Sequence, residues 1–455
     1  MLAPDGKRIA VGLNTGAMWL CGLDQHGTCT RRHAAAHVGN FAAGLGYSAD
    51  GALLAEADSS GPLRLRDPDT GDVLLSLPNP RPLQSLSWAP DRPTLYTGSA
   101  DGGTAHRWHL PLPMLLGHTG TISDIAVDDR RSLAATSARD GTVRLWSIRD
   151  PYRPVLRRLL RHPADVTTVA IHPSGTRLAA GTAKGTVHLW DITADPHRLG
   201  TDKNFTEPVT SLAFAPDGTR LAASSVGNHT TLWDLPATAR HLSPRALFTA
   251  PSSAGVNSVA FALDGRMLAT AESDRTVRLW DTRSRGTVRS PVRELTGHTA
   301  IVNAVAAGGA LLAAGGQDDT VRLWRLDPAH PHRRPTPLAR TLRGHSGHVA
   351  ALHLSPDGRT LLSAGQDGTA ALWNLTRPDR PVLRDSLRSP GEAFTSAALS
   401  ADGTQAWTTA GPTARHWAID AGHTASRLCA AAGAPLTRHQ WRNALPDFEH
   451  VPPCR

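Results

Sequence analysis

Residues 139–147 read RDGTVRLWS, and close copies stand at 184–191 (KGTVHLWD), 274–281 (DRTVRLWD) and 318–325 (DDTVRLWR). Aligned on the apolar-Trp ending, the series runs through Trp19, Arg66, Trp108, Trp146, Trp190, Trp233, Trp280, Trp324, Trp373 and Trp417, with Arg66 standing where the others have Trp. The steps range from 38 residues (Trp108 to Trp146) to 49 (Trp324 to Trp373). A period of that size marks a repeated supersecondary unit rather than a repeated domain.

A second signal keeps register with the first. Upstream of each Trp-type ending lies a turn: APDG (3–6), SADG (48–51), APDR (89–92), VDDR (127–130), HPSG (172–175), APDG (215–218), ALDG (262–265), AAGG (306–309), SPDG (355–358) and SADG (400–403). Proline pre-sets φ for a tight turn and glycine tolerates its exit, so each is read as a hairpin. The flanks alternate with period two, as in VTTVAIHPSG, VTSLAFAPDG and VNSVAFALDG, which places apolar side chains on one strand face. A small-residue strand such as TRLAAGTA follows, then a short turn, then TVRLW; stretches such as PVLRRLL (154–160) and PVLRDSL (381–387) supply a fourth strand. The unit is a four-stranded antiparallel sheet, and the fold class is all-β.

These repeats resemble those of the WD40 family, in which each repeat of about 40 to 45 residues supplies the strands of one propeller blade. The Trp-Asp pair stands at Trp190-Asp191, Trp233-Asp234 and Trp280-Asp281, and the Gly-His pair at Gly117-His118, Gly297-His298 and Gly344-His345, with Arg161-His162 close to it. The resemblance covers residues 2–420. It implies a buried hydrogen-bonded set of His, Ser or Thr, Asp and Trp in each blade. Two sets look complete: His118, Thr136, Asp140 and Trp146, and His345, Ser363, Asp367 and Trp373. His298, Asp318 and Trp324 keep three members, as do Thr270, Asp274 and Trp280, whereas Lys184, Gly227 and Gly411 occupy the Asp position elsewhere. A His-Ser-Asp trio invites a hydrolytic reading. Its recurrence beside a core Trp favours a structural role, because an enzyme needs one site and a scaffold needs the motif in every blade.

The expected organisation is a partial propeller of three repeats over 1–112, a seven-bladed WD40 ring over 113–421 and a short helical tail over 422–455. PMLLGH (113–118) is expected to supply the outer strand that the last blade lacks. A single wider ring using all ten repeats is the alternative. Because the first repeat starts at the end of its opening strand, a truncated chain or a misplaced start is also expected. In the tail, Leu428, Ala431 and Ala432 fall at helical spacing, and Thr437 caps a second short helix carrying Trp441. That ending resembles WD-repeat proteins of GC-rich bacteria, many of which carry a signalling NTPase or DNA-binding region upstream of their propellers.

Composition narrows the function. Hydrophobic residues make up 40% and charged residues 19% of the chain, which is the profile of a folded globular protein. The net charge is +9, yet Lys7, Lys184 and Lys203 are the only lysines among 48 basic residues and the arginines are scattered, so nucleic acid is not the expected partner. Cys21, Cys29, Cys429 and Cys454 match no zinc spacing and make no disulfide scaffold; Cys429 and Cys454 flank one tail, as a local bridge or as two free thiols. No apolar run approaches a membrane span and no leader pattern opens the chain, so the expected location is the cytoplasm. The His-Pro-Arg cluster at 330–335 is read as a solvated loop rather than a metal or phosphate site.

No GxxxxGK[ST], HExxH or GxSxG pattern occurs, so no catalytic, cofactor-binding or metal-ligating residues are expected. The favoured function is a non-catalytic protein-interaction scaffold, the sensor or regulatory part of a larger bacterial signalling protein, with protein partners. Arg139, Ser273, Gln317 and Gln366, each just before the turn Asp, and Lys184 at that position, are the candidate rim contacts. The alternative is a propeller hydrolase or lyase with a metal in its central channel.

Overall fold

A computed structural model describes residues 1–419, apart from 14–17, 25, 36–41, 49–50, 52, 59–62, 67, 69–70, 72, 78–81, 89–93, 100–104, 110–113, 116, 152–153, 237–241, 251–253, 339 and 389–392. The tail over 422–455, with Cys429, Trp441 and Cys454, lies outside the described residues. All regular structure among the described residues is strand.

One repeat illustrates how the sequence becomes a sheet. The stretch VTSLAF forms strand Val209–Phe214, with Val209 and Leu212 buried. The chain reverses at Ala215–Gly218 and returns as Arg220–Ser225, pairing Phe214 with Leu221 and Val209 with Ser225. Gly218 has φ +72°, and a Cβ there would stand 2.5 Å from the His172 ring of the preceding repeat, so both backbone and space demand glycine. Strands His229–Asp234 and Ser243–Thr249 complete the order from inside to outside.

Among the described residues ten sheets built on antiparallel strands follow one another. In seven of them the innermost strands are Ile122–Asp128, Val166–Ile171, Val209–Phe214, Val256–Ala262, Val302–Gly308, Val349–Leu354 and Ser396–Leu399. Each touches the next, and the last touches the first. Strand Met114–Leu115 pairs with Thr413–Ala418 as the outer strand of the last of these sheets, so the ring is fastened by chain from its two ends. Seven apolar clusters fill the seven interfaces between blades. One joins Leu115, Ile122 and Trp146 to Ala398, Trp407 and Ala414, and the next joins Val143 and Leu145 to Val169, Leu178 and Trp190. Each ring Trp of the repeat series therefore packs between its own blade and the preceding one. An indole fits that place because it buries a large apolar face and still offers one N–H to a polar partner.

Three sheets precede the ring. They begin with strands Arg8–Gly12, Ala42–Tyr47 and Leu83–Trp88, and among the described residues the first and the last have three strands. Met114 packs with Leu83 and Leu95 of the third sheet, while its neighbour Leu115 packs inside the ring. In the first sheet Cys21 and Cys29 are joined by a disulfide across the hairpin between Met18–Leu23 and Cys29–Ala35, with their Cα atoms 5.6 Å apart. The sequence reading did not pair these two cysteines, and the hairpin between their strands brings them together.

Candidate functional site

The recurring polar set is built from strands that converge on the Trp. In the first blade His118 Nε2 lies 2.8 Å from Thr136 Oγ1, which accepts the Trp146 indole N–H at 2.9 Å, and His118 Nδ1 lies 2.9 Å from Asp140. Asp140 also accepts the Thr119 and Thr142 backbone N–H groups. Burial alone would raise the Asp140 carboxyl, but hydrogen bonds from His118 and Thr142 outweigh it and hold the group well below its usual range. Burial lowers His118 in turn, against the pull of Asp140. The sixth blade repeats the set: His345 is 2.8 Å from Ser363, Trp373 donates to Ser363 at 3.1 Å, and Asp367 lies 3.3 Å from His345. With its ring fully buried, His118 has no face to offer a substrate; these groups order loops.

Other blades rewire the same space. Ala180, Ala223 and Ala314 occupy the Ser/Thr register. Trp190 then donates to His162 Nε2 at 3.2 Å, and Trp233 to the buried Asp202 at 2.9 Å. His298 keeps Asp318 at 3.0 Å, but among the described residues its Nε2 finds no side-chain hydroxyl. The fourth blade departs from the expected trio. Trp280 donates to Thr270 at 3.0 Å, but Asp274 pairs with Arg278, which also binds Glu272 and Glu294. No His is present there to hold Asp274, so Arg278 takes it.

The rim candidates divide into two groups. Arg139, Lys184 and Gln366 are exposed, whereas Ser273 and Gln317 are partly buried. Asn257 donates to Ser273 at 3.1 Å, and Gln317 donates to Asn303 at 3.3 Å. Those asparagines stand at the bulges of the innermost strands, so all five candidates lie at one end of the ring.

The bulge residues form a belt that the sequence reading missed. Thr167, Thr210, Asn257, Asn303 and Thr395 each donate to the backbone carbonyl opening the next blade, at Val209, Val256, Val302, Val349 and Ile122, over 2.6 to 3.0 Å. The signal was the Thr or Asn after the first valine in VTT, VTS and VNS. Inside this belt a central channel of about 590 Å³ is lined from all seven innermost strands. Asp124 stands in its wall and accepts from Val169 N, Thr168, Ser396 and Ile125 N, and burial raises its carboxyl. His353 also lines the channel; burial lowers it to about 4, and its Nδ1 has no hydrogen-bond partner among the described residues. Among the described residues no three His, Cys, Asp or Glu side chains converge as a metal site. In the 330–335 loop, His332 binds Asp281 at 2.9 Å and His330 binds Asp327 at 3.2 Å. No helix among the described residues is long and apolar enough to cross a membrane.

Comparison with known proteins agrees with this geometry. The model of the WD domain, G-beta repeat matches residues 242–281, 289–325 and 336–374, and that of the nucleolar protein 10-like N-terminal domain matches 104–243. The chain is similar to DDB1- and CUL4-associated factor 13 of Dictyostelium discoideum, 29% identical over 26% of this chain and 24% of that protein. It is similar to nuclear distribution protein PAC1 of Arthroderma otae, 33% identical over 19% of each chain, and to small ribosomal subunit protein RACK1y of rice, Oryza sativa, 54% identical over 8% of this chain and 10% of that one. The chain thus spans a quarter or less of the length of these relatives. Sheet order, the His–Ser/Thr–Asp–Trp sets and the matched repeats together make the fold that of an all-β WD40-repeat β-propeller.

Proposed function

We propose that this protein is a non-catalytic scaffold whose ring presents one polar end to protein partners, and that residues 113–421 act as a unit, with 1–112 as part of a preceding propeller. The observation that carries the reading is the exposure of Arg139, Lys184 and Gln366 on turns of three blades at one end of a framework fixed by the bulge belt. Such a surface binds by complementarity across several blades, with little rearrangement on contact. The finer reading is that it serves as the sensor or regulatory part of a larger bacterial signalling protein in the cytoplasm. The relatives' names concern eukaryotic proteins and bear on interaction, not on that setting.

The test is proximity cross-linking of the full chain in its native cells, followed by the triple variant R139A/K184A/Q366A. Loss of the cross-linked partner with unchanged thermal stability is expected; unchanged cross-linking removes the rim from the site. The redox state of Cys21 and Cys29 in those cells, read by differential alkylation, tests the location, because stable disulfides are rare in a reducing cytosol. A fully oxidised pair would place the protein in an oxidising compartment instead.

A further inference from the structure

The outermost strand of the first blade, Val155–Arg161, pairs on its inner side with Thr142–Ser147, and no described strand pairs with its outer edge. Such an edge presents a row of free N–H and C=O groups. Val155, Leu156 and Leu159 are 55%, 40% and 37% exposed, and only Leu160 turns into the core. Arg157, Arg158 and Arg161 form no ion pair among the described residues; Arg157 reaches Ser147, and Arg158 reaches the carbonyls of Arg157 and Ala194. Apolar side chains and unmatched positive charge thus share one open strand edge.

Two internal comparisons give this edge its meaning. The equivalent strand of the third blade, Ser243–Thr249, already carries an added strand: Gly286–Val288 lies parallel along it, pairing Ala246 with Gly286 and Phe248 with Val288. One outer edge of this propeller therefore already carries an added extended segment. The equivalent strand of the sixth blade, Val382–Arg388, reads VLRDSLR against VLRRLLR. Register equates Asp385, opposite Leu372, with Arg158, opposite Leu145, and Ser386 with Leu159. The two strands share a backbone place and differ in charge and apolar surface.

We propose that the outer edge of Val155–Arg161 docks an extended, acidic segment of a partner protein, which joins the first blade as a fifth strand. Main-chain hydrogen bonds supply the attachment, and carboxylates on one face of the added strand meet the arginines on that face. Residues 420–455 of this chain carry four arginines against three acidic residues, so they lack the complementary charge. The site is separate from the rim, and the rim triple variant should leave it intact.

The test is fluorescence anisotropy of the full chain with a labelled peptide of alternating glutamate and valine, beside its lysine-valine counterpart and a version N-methylated at alternate residues. The variant R158D/L159S gives the first blade a strand that already folds in the sixth. The expected result is binding of the glutamate peptide with slowed amide exchange across Val155–Arg161, and a loss of about tenfold or more, equal to about 1.4 kcal/mol, in the variant and on N-methylation. Equal binding by the variant overturns the site. Equal binding of the N-methylated peptide reduces it to charge attraction, and no binding to the unaltered protein makes the arginines guards against edge pairing; either outcome overturns strand addition.

Discussion

Arg66 occupies the position that Trp holds in the other repeats, and its Nε lies 2.6 Å from the carboxylate of Glu56, which occupies the position of Thr136 and Ser363. Both side chains are buried, and Arg66 also donates to the Gly71 carbonyl at 2.8 Å. One exchange explains the other: a guanidinium in place of an indole needs an anion where a hydroxyl would suffice.

Removing one partner should therefore cost more than replacing both. Arg66→Ala leaves Glu56 buried and should destabilise the second sheet by about 3–5 kcal/mol, whereas the double change Arg66→Trp with Glu56→Thr should recover most of it, because breaking a buried ion pair is worse than substituting it. Hydrogen exchange of Leu54–Asp58 measures both; equal loss in the two variants would contradict the coupling.

Ala314 in the fifth blade is a repairable omission. It sits opposite Arg322 as Thr136 sits opposite Arg144, and among the described residues His298 Nε2 finds no side-chain hydroxyl there. Ala314→Ser should supply that hydroxyl and raise stability by about 1 kcal/mol, while Ser363→Ala in the sixth blade should cost about 1–3 kcal/mol by leaving His345 and Trp373 unpaired. Denaturant unfolding of the two variants should show opposite signs.

Trp373→Ala should cost about 3–5 kcal/mol, as a large-to-small change between two blades. The cavity would open between the fifth and sixth blades, so faster exchange is expected in Thr320–Arg325 as well as in Thr369–Asn374. Exchange confined to the sixth blade would remove the spacer role.

Acid should loosen the ring through its histidines. Burial holds His162, His188 and His353 at about 4, while an unfolded chain protonates them near pH 6.5. The unfolded state thus binds more protons below that pH, and stability, fully present above about pH 6.5, should fall as pH drops toward about 4. Tm measured between pH 7 and 4 should decline, and His353→Leu should flatten the slope.

The sequence exposed whatever recurs at a fixed offset within a repeat. The turns, the tryptophans and outer strands such as Val155–Arg161 follow from local period and spacing. The relationships it hid are compensations whose partners lie on another strand or blade. Asp202 serves Trp233 from the outer strand of the preceding blade, and Cys21 meets Cys29 only once two strands pair. Thr395 finds Ile122 at a separation of 273 residues, which no window on the chain can show. Turn spacing names the five rim candidates but not the asparagines, on another strand, that bond Ser273 and Gln317.

The pairing of Met114–Leu115 with Thr413–Ala418 has a consequence for biogenesis. The four main strands of each of the first six blades follow one another along the chain, but the clasp joins the first segment of the ring to the last. Until translation reaches Ala418, Leu115 waits without its strand partner, and the ring stays open with apolar surface at its two ends.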